Sequence, residues 1–567
     1  MKLNNLDNWK GFKNDGLLYF CQRVNEMLFH YSDHIYKVPL LNTQLLIREY
    51  LNTRKLVKNG IINKEHLNYI MSEFLEALEN DVVVKAFQDK IYIKEIVNRI
   101  NTSSDDEKER LMRYLLGIFR DYNDWCKEYL KEIVPQEREK KKIEQATRSY
   151  ISGLIGNGYS HEYIYHYNKY VFNECNVESM SSLETFINRF DFSERQYTVY
   201  VAILKAAERY YEVLDKRLDV KAANPKKSTG LMYDKEKFNV VQLTVDALDQ
   251  NTAANTALKV LNIFFKFYDL LTDNNKPWFA DICKVEDSEG NNSFVKLEQN
   301  RFNYSTHNVM GDFTEEIVSG LLFSEASTLD SVSSAVRMHN LAISGNNISN
   351  GFLNLWSVLE ILFVSDNAES KIKEIQKKVI PILERDYINS LIYNIEEYLR
   401  ENLTETQLET INDNICNINE ELWLHKLIIL KENEEKREKL NKVLDEYPLL
   451  RSRISICNNI FSKKENLKKE IERYSQRINW HLRRLYRTRN ALIHSGASIS
   501  NIKELGEHLH SYVDACILEI VIRLSKENFK SIDDVVINIQ LKNELIKKVI
   551  SKKGSLELGE IEYIYNL

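Results

Sequence analysis

The residues best placed to do chemistry lie in one segment, His481-Leu482-Arg483-Arg484-Leu485-Tyr486-Arg487-Thr488-Arg489-Asn490-Ala491-Leu492-Ile493-His494-Ser495-Gly496. Histidine is the one side chain whose unperturbed titration falls near neutral pH, so His494 is a candidate general acid or base. Ser495-Gly496 reads as a helix stop, which puts His494 in a last turn, at the negative end of the helix dipole. Arg489, five positions upstream, is a candidate for stabilising charge on a phosphate. Five residues rotate about 140° on a helix of 3.6 residues per turn, so the two side chains do not share a face. That geometry suits a site formed between helices or between two subunits.

The surrounding charge points the same way. From Lys463 to Arg489 there are ten Lys/Arg against three Asp/Glu, a local balance of +7 in a chain whose net charge is −6. The remainder therefore carries −13. A basic stretch on an acidic protein suits phosphate, with Arg483 and Arg487 as contacts and Tyr486 as a surface for base stacking. The alternative is a solvated basic helix face. Upstream, Glu360 is the single charge in the apolar run Phe352–Val364. A buried carboxylate needs a partner. Either it forms a structural ion pair with an arginine of the 483–489 cluster, Arg484 among them, or it positions Arg489 or His494.

Other patterns carry less. His161 and His166 are five apart, where a zinc-protease helix needs four. His30 and His34 have the right spacing but no third ligand in view. Glu504/His508 and His510/Asp514 pair at i, i+4 on one predicted helix and read as surface hydrogen bonds. Gly153, Gly156 and Gly158 lack the Lys-Ser/Thr of a phosphate-binding loop. No metal site and no cofactor is expected.

The elements that must hold these residues are mostly helices. Seventeen Gly and six Pro in 567 residues are roughly 4% of the chain where about 12% is usual, which argues against sandwiches, barrels and propellers. No glycine occurs between Phe352 and Ser495, and only Pro381 and Pro448 interrupt that stretch. Residues 1–215 show helical periodicity, with Leu40–Leu56 and Glu107–Leu130 as examples. The break near 222–230 reads as a linker. Phe238–Val245, Ala280–Val285 and Ser293–Leu297 read as strands around a helix at Asn251–Leu271. The expectation is a multi-domain, mostly α chain. A helical N-terminal sensor or regulatory region (1–215) leads to a small α+β module (216–305), a helical C-terminal bundle (306–530) and a tail (531–567). Seven scattered cysteines without a CxxC, no signal-like N-terminus and no apolar run of membrane-spanning length suggest a cytoplasmic protein without membrane contact.

Arg489-Asn490-Ala491-Leu492-Ile493-His494 matches the R-x(4–6)-H motif of HEPN domains, including the polar residue that often follows the Arg. With the Leu485–Gly496 phrase and the Phe352–Leu362 helix, whose Trp356 and Glu360 are four apart, residues 310–530 resemble the ApeA-like HEPN proteins of bacterial anti-phage defence. The resemblance implies a HEPN helical bundle and a metal-independent endoribonuclease acting as a homodimer with facing motifs. It implies His494 as general acid or base, Arg489 on the scissile phosphate and Asn490 orienting phosphate or imidazole. It further implies RNA as substrate, with tRNA as one candidate, a phage-derived trigger, and a role in abortive infection. Two rivals stand beside it: a non-catalytic HEPN-like module that binds RNA, nucleotide or protein, and a helical adaptor.

Overall fold

The computed structural model describes residues 6–566 apart from 31, 38–40, 206–213, 216–219, 224–229, 273–278, 298–324, 346, 366, 496–498, 500 and 528. Among the described residues the chain is mostly helical, as its composition implies, with one small antiparallel sheet. The N-terminal helices used below are α1 (Asp15–Leu28), α2 (Thr43–Lys58), α3 (Glu65–Asn80), α4 (Lys140–Gly156) and α5 (His161–Lys169). Their ends follow local rules. Asn14, Asn42 and Ser160 cap α1, α2 and α5 by accepting a backbone N–H three residues on. Ser104 and Glu107 form a capping box at the start of the helix Asp105–Ile118.

The three glycines at 153, 156 and 158 do different jobs. Gly153 and Gly156 lie inside α4, where a Cβ would sit 2.0 Å from Asn123 Oδ1 and 2.4 Å from Leu45 Cδ1. They are small because neighbouring elements press against the helix. Only Gly158, at φ +110°, turns the chain.

The sheet runs β2-β3-β1-β4-β5 and is antiparallel throughout. Its strands are β1 (Arg195–Leu204), β2 (Lys221–Ala222), β3 (Phe238–Ala247), β4 (Ile282–Glu286) and β5 (Asn292–Lys296). The expected strands and the helix between them, α6 (Gln250–Thr272), are present. The boundary at 215 needs correction. The central strand β1 comes from the stretch assigned to the helical region, and it pairs with β3 from Arg195↔Ala247 to Leu204↔Phe238. Tyr197, Val199, Val201 and Ile203 alternate inward and meet Ala253, Ala254, Ala257 and Leu261 of α6 in a core of their own.

The C-terminal helices are α7 (Ala326–Ser344), α8 (Ile348–Phe363), α9 (Lys371–Asn402), α10 (Pro448–Phe461), α11 (Lys464–Ser495), α12 (Ile502–Lys526), α13 (Ile532–Ile550) and α14 (Leu558–Asn566). The segment 531–567 is no loose tail, since Val535, Ile539, Ile561 and Ile564 are buried in the main core. That core is continuous from Trp9 to Ile564. Helix α1 packs on α4, α5 and α10, and α3 packs on α11. The N-terminal and C-terminal helical regions therefore bury one shared core, and the α+β module is the part with a core to itself.

A fragment of residues 1–190 is accordingly expected to be molten or aggregated, with strong fluorescence of a hydrophobic dye. Co-expression with residues 325–567 should restore a compact, cooperatively unfolding complex. A monodisperse, cooperatively unfolding 1–190 fragment would show instead that the halves hold separate cores.

Candidate functional site

Helix α11 carries the charged segment, and its arginines divide into two sets. Arg483, Arg484 and Arg487 are 3%, 7% and 4% exposed. They face the N-terminal helices. Arg484 donates to Glu49 of α2 at 3.1 Å and to Glu73 of α3 at 2.6 Å, and Arg487 donates to Glu49 at 2.5 Å. The Arg483 guanidinium lies 3.4 Å from the ring centroid of Tyr69, with Glu65 at 3.8 Å. The Tyr486 ring is half-buried between His66 and Trp356, each at 5.7 Å.

This arrangement corrects the expectation of an open basic surface. Arg483, Arg484, Arg487 and Tyr486 are committed to internal partners in this conformation, and a phosphate would have to displace carboxylates to reach them. Nor are they a solvated face. The acidic excess of the remaining chain partly meets the basic helix within the molecule. The electrostatics follow. Burial alone would raise the Glu49 carboxyl, but the Arg484 and Arg487 guanidiniums bring it down to about 2. Burial and the same arginine cluster push His66 down to about 4, so this imidazole is neutral beside its cationic neighbours.

The second set is Arg489 with Asn490 and Glu360. Trp356 Nε1–H donates to Glu360 Oε1 at 2.9 Å, and Arg489 Nη2 lies 3.6 Å from the same oxygen. Lys371 Nζ lies 3.3 Å from Glu360 Oε2. Arg489 Nη1 donates to Asn490 Oδ1 at 3.1 Å. Glu360 thus finds the arginine partner that its solitary position in an apolar helix demands. That partner is Arg489, while Arg484 belongs to Glu49 and Glu73. The Arg489 side chain remains a quarter exposed, so its guanidinium is oriented without being sequestered. His494 is exposed in the last turn of α11. The proposed stop residue Gly496 lies outside the described residues. The structure thus brings Arg489, Asn490 and Glu360 together and leaves His494 on the same helix, facing solvent.

Comparison with protein-family models, curated proteins and solved structures finds no match for this chain.

Sequence reasoning missed Glu49, Glu73 and Trp356 as partners. The acids look like ordinary surface residues until α2 and α3 meet α11. Glu49→Gln should leave Arg484 and Arg487 short of a buried counter-charge and cost about 3 kcal/mol in urea unfolding at pH 7. The Glu49 pKa is lowered on folding, so its stabilisation is full above its ordinary value of 4.5 and is lost as pH falls toward 2. The gap in stability between wild type and Glu49→Gln is therefore expected to narrow from about pH 4.5 downward. A gap that stays constant with pH would remove the ionised pair from the account.

Proposed function

We propose that the chain is an endoribonuclease of the HEPN type, serving bacterial anti-phage defence by abortive infection. The observation that carries this reading is the pairing of an oriented, partly exposed Arg489 with an exposed His494 on one helix. Glu360 and Asn490 hold the guanidinium, so its donors are set before substrate arrives. The 2′-hydroxyl of RNA attacks the adjacent phosphorus and the bond to the 5′-oxygen breaks. His494 takes the 2′ proton or supplies one to the leaving oxygen. Arg489 neutralises charge gathered on the equatorial oxygens. The products are a 2′,3′-cyclic phosphate and a 5′-hydroxyl, and DNA, lacking the nucleophile, is spared. One imidazole cannot fill both proton-transfer roles at once, which favours a homodimer whose second His494 takes the other. The substrate is RNA, with tRNA as one candidate, and a phage-derived trigger would act through the N-terminal helices that grip α11.

The burial of Arg483 and Arg487 favours a second reading, a non-catalytic HEPN-like binding module, because it removes both of the expected phosphate contacts. One experiment separates the two. Purified wild type should generate cyclic-phosphate ends on RNA, and a substrate with 2′-deoxy residues should resist. His494→Ala should lower the rate by at least about 100-fold, the usual worth of a general acid or base. Cleavage by His494→Ala at the wild-type rate would sink the nuclease assignment. Absence of cleavage together with intact RNA binding would establish the second reading.

A further inference from the structure

Helix α12 places His510 and Asp514 four residues apart on one face, and α7 brings His339 against them. His339 Nε2 lies 3.0 Å from His510 Nε2 and 2.8 Å from Asp514 Oδ1. The two imidazoles stack, with ring centroids 5.0 Å apart. Of the pair expected from sequence to make surface hydrogen bonds, Asp514 is partly exposed and His510 is buried. His510 is 4% exposed, and a third ligand atom, the His339 nitrogen from another helix, completes the set.

Three features fit these atoms to a cation. The first is spacing. Ligands about 2.0–2.1 Å from a zinc-sized ion stand about 2.9 Å apart at right angles and about 3.3 Å apart at tetrahedral angles. The observed 3.0 Å falls at the near end of that range and 2.8 Å just short of it, and the ligand atoms of all three residues lie within 4.8 Å of one another. The second is orientation from behind. His510 Nδ1 is 3.4 Å from the other Asp514 oxygen, Oδ2. The nearby carboxylate oxygen favours the tautomer with its proton on Nδ1, which leaves a lone pair on Nε2, the nitrogen that faces His339. The third is charge. Lys37, whose charge reaches His510, is itself paired with Glu507 at 3.5 Å.

We propose that His339, His510 and Asp514 form a binding site for a divalent transition-metal ion, with zinc as the natural occupant for two imidazoles and one carboxylate. Binding needs no net loss of protein charge. His339 moves its proton from Nε2 to Nδ1, and Asp514 supplies the anionic ligand. Both helices pack on α8, the helix of Trp356 and Glu360. The ion would staple α7 to α12 around that element, whatever chemistry α11 performs. The His339 and Asp514 side chains keep 17% and 25% of their surface exposed, which gives water a route to a remaining coordination position.

A second group, His30, His161 and Glu162, has the same composition, but Lys503 already holds Glu162 at 2.9 Å. It serves as the internal control. The full-length protein, stripped with a chelator and dialysed, is titrated with Co²⁺ and followed by its visible d–d absorption, then displaced with Zn²⁺. One ion per chain is expected. Asp514→Asn, which keeps the shape of the side chain, and His339→Ala should each weaken binding at least about tenfold. His161→Ala should bind as wild type. Zinc at a few times the wild-type Kd should raise the melting temperature of wild type and move that of Asp514→Asn far less. Matching far-UV spectra of the stripped proteins separate loss of the site from loss of the fold. No stoichiometric binding, or wild-type affinity in both Asp514→Asn and His339→Ala, overturns the proposal. So does loss of binding in His161→Ala alone.

Discussion

Arg484 is a full charge taken out of water, and it is tolerable only because Glu49 and Glu73 are carried to it by two helices more than four hundred residues away in sequence. Removing a guanidinium from solvent costs several kcal/mol, which Coulomb attraction offsets only when the geometry is good and the remaining donors are met. The requirement recurs beside α1. There Glu26, fully buried, is shared between Arg23 at 2.8 Å and Arg453 of α10 at 2.7 Å, while Arg23 also reaches Glu144 of α4 at 2.8 Å. Both networks join the N-terminal helices to the C-terminal ones. Apolar contact would hold the halves together in many relative positions. Buried charges tolerate few, since a small slip leaves a cation or a carboxylate without its partner.

That constraint also sets the direction of a side chain that lies outside the charged seam. On α11 the positions 483, 484 and 487 lie within about one turn of each other and point into the charged seam. Arg489 is rotated away from them and meets α8. The seam thus fixes the rotation and height of α11, and with them the direction of Arg489. Trp356 reinforces this from the other side. Its ring is buried and its N–H donates to the carboxylate oxygen facing Arg489, so the anion cannot turn away without stranding an indole N–H. His494, eleven residues beyond Arg483, is far enough along the helix to leave the packed region.

Much of this was legible in the sequence, and the failures have physical causes. The scarcity of glycine and proline correctly gave a helical chain, and the alternation in Phe238–Val245 gave a strand. Arg195–Leu204 went unrecognised because it follows a long helical region and its inward and outward positions are both largely apolar or aromatic, which blurs a period of two. Glu360 could be read as needing an arginine, since a lone charge in an apolar helix leaves few options. Which arginine it met depended on the rotation of α11. The fate of Arg483, Arg484 and Arg487 was not legible at all. A run of arginines looks the same whether its counter-ions are phosphates or distant glutamates, and one chain's composition does not say which carboxylates will arrive. The His510/Asp514 pair failed in the same way, because its third member sits on another helix.

The charge map changes meaning as a result. The local balance of +7 along 463–489 suggests a polyanion surface, but three of its ten cations face glutamates of the N-terminal helices. Lys463, Lys468, Lys469 and Arg473, the exposed ones at the opposite end of α11, stand about 30 Å or more from His494 at 1.5 Å per residue. Arg473 is 3.0 Å from Glu470, and Lys468 is 3.9 Å from Glu472. A phosphate at the His494 end would therefore meet Arg489 first, with little long-range attraction from its own helix. Selectivity in such a site has to come from the geometry around one guanidinium. In such a site the carboxylate, the indole and the amide that aim Arg489 would matter more than the number of arginines nearby.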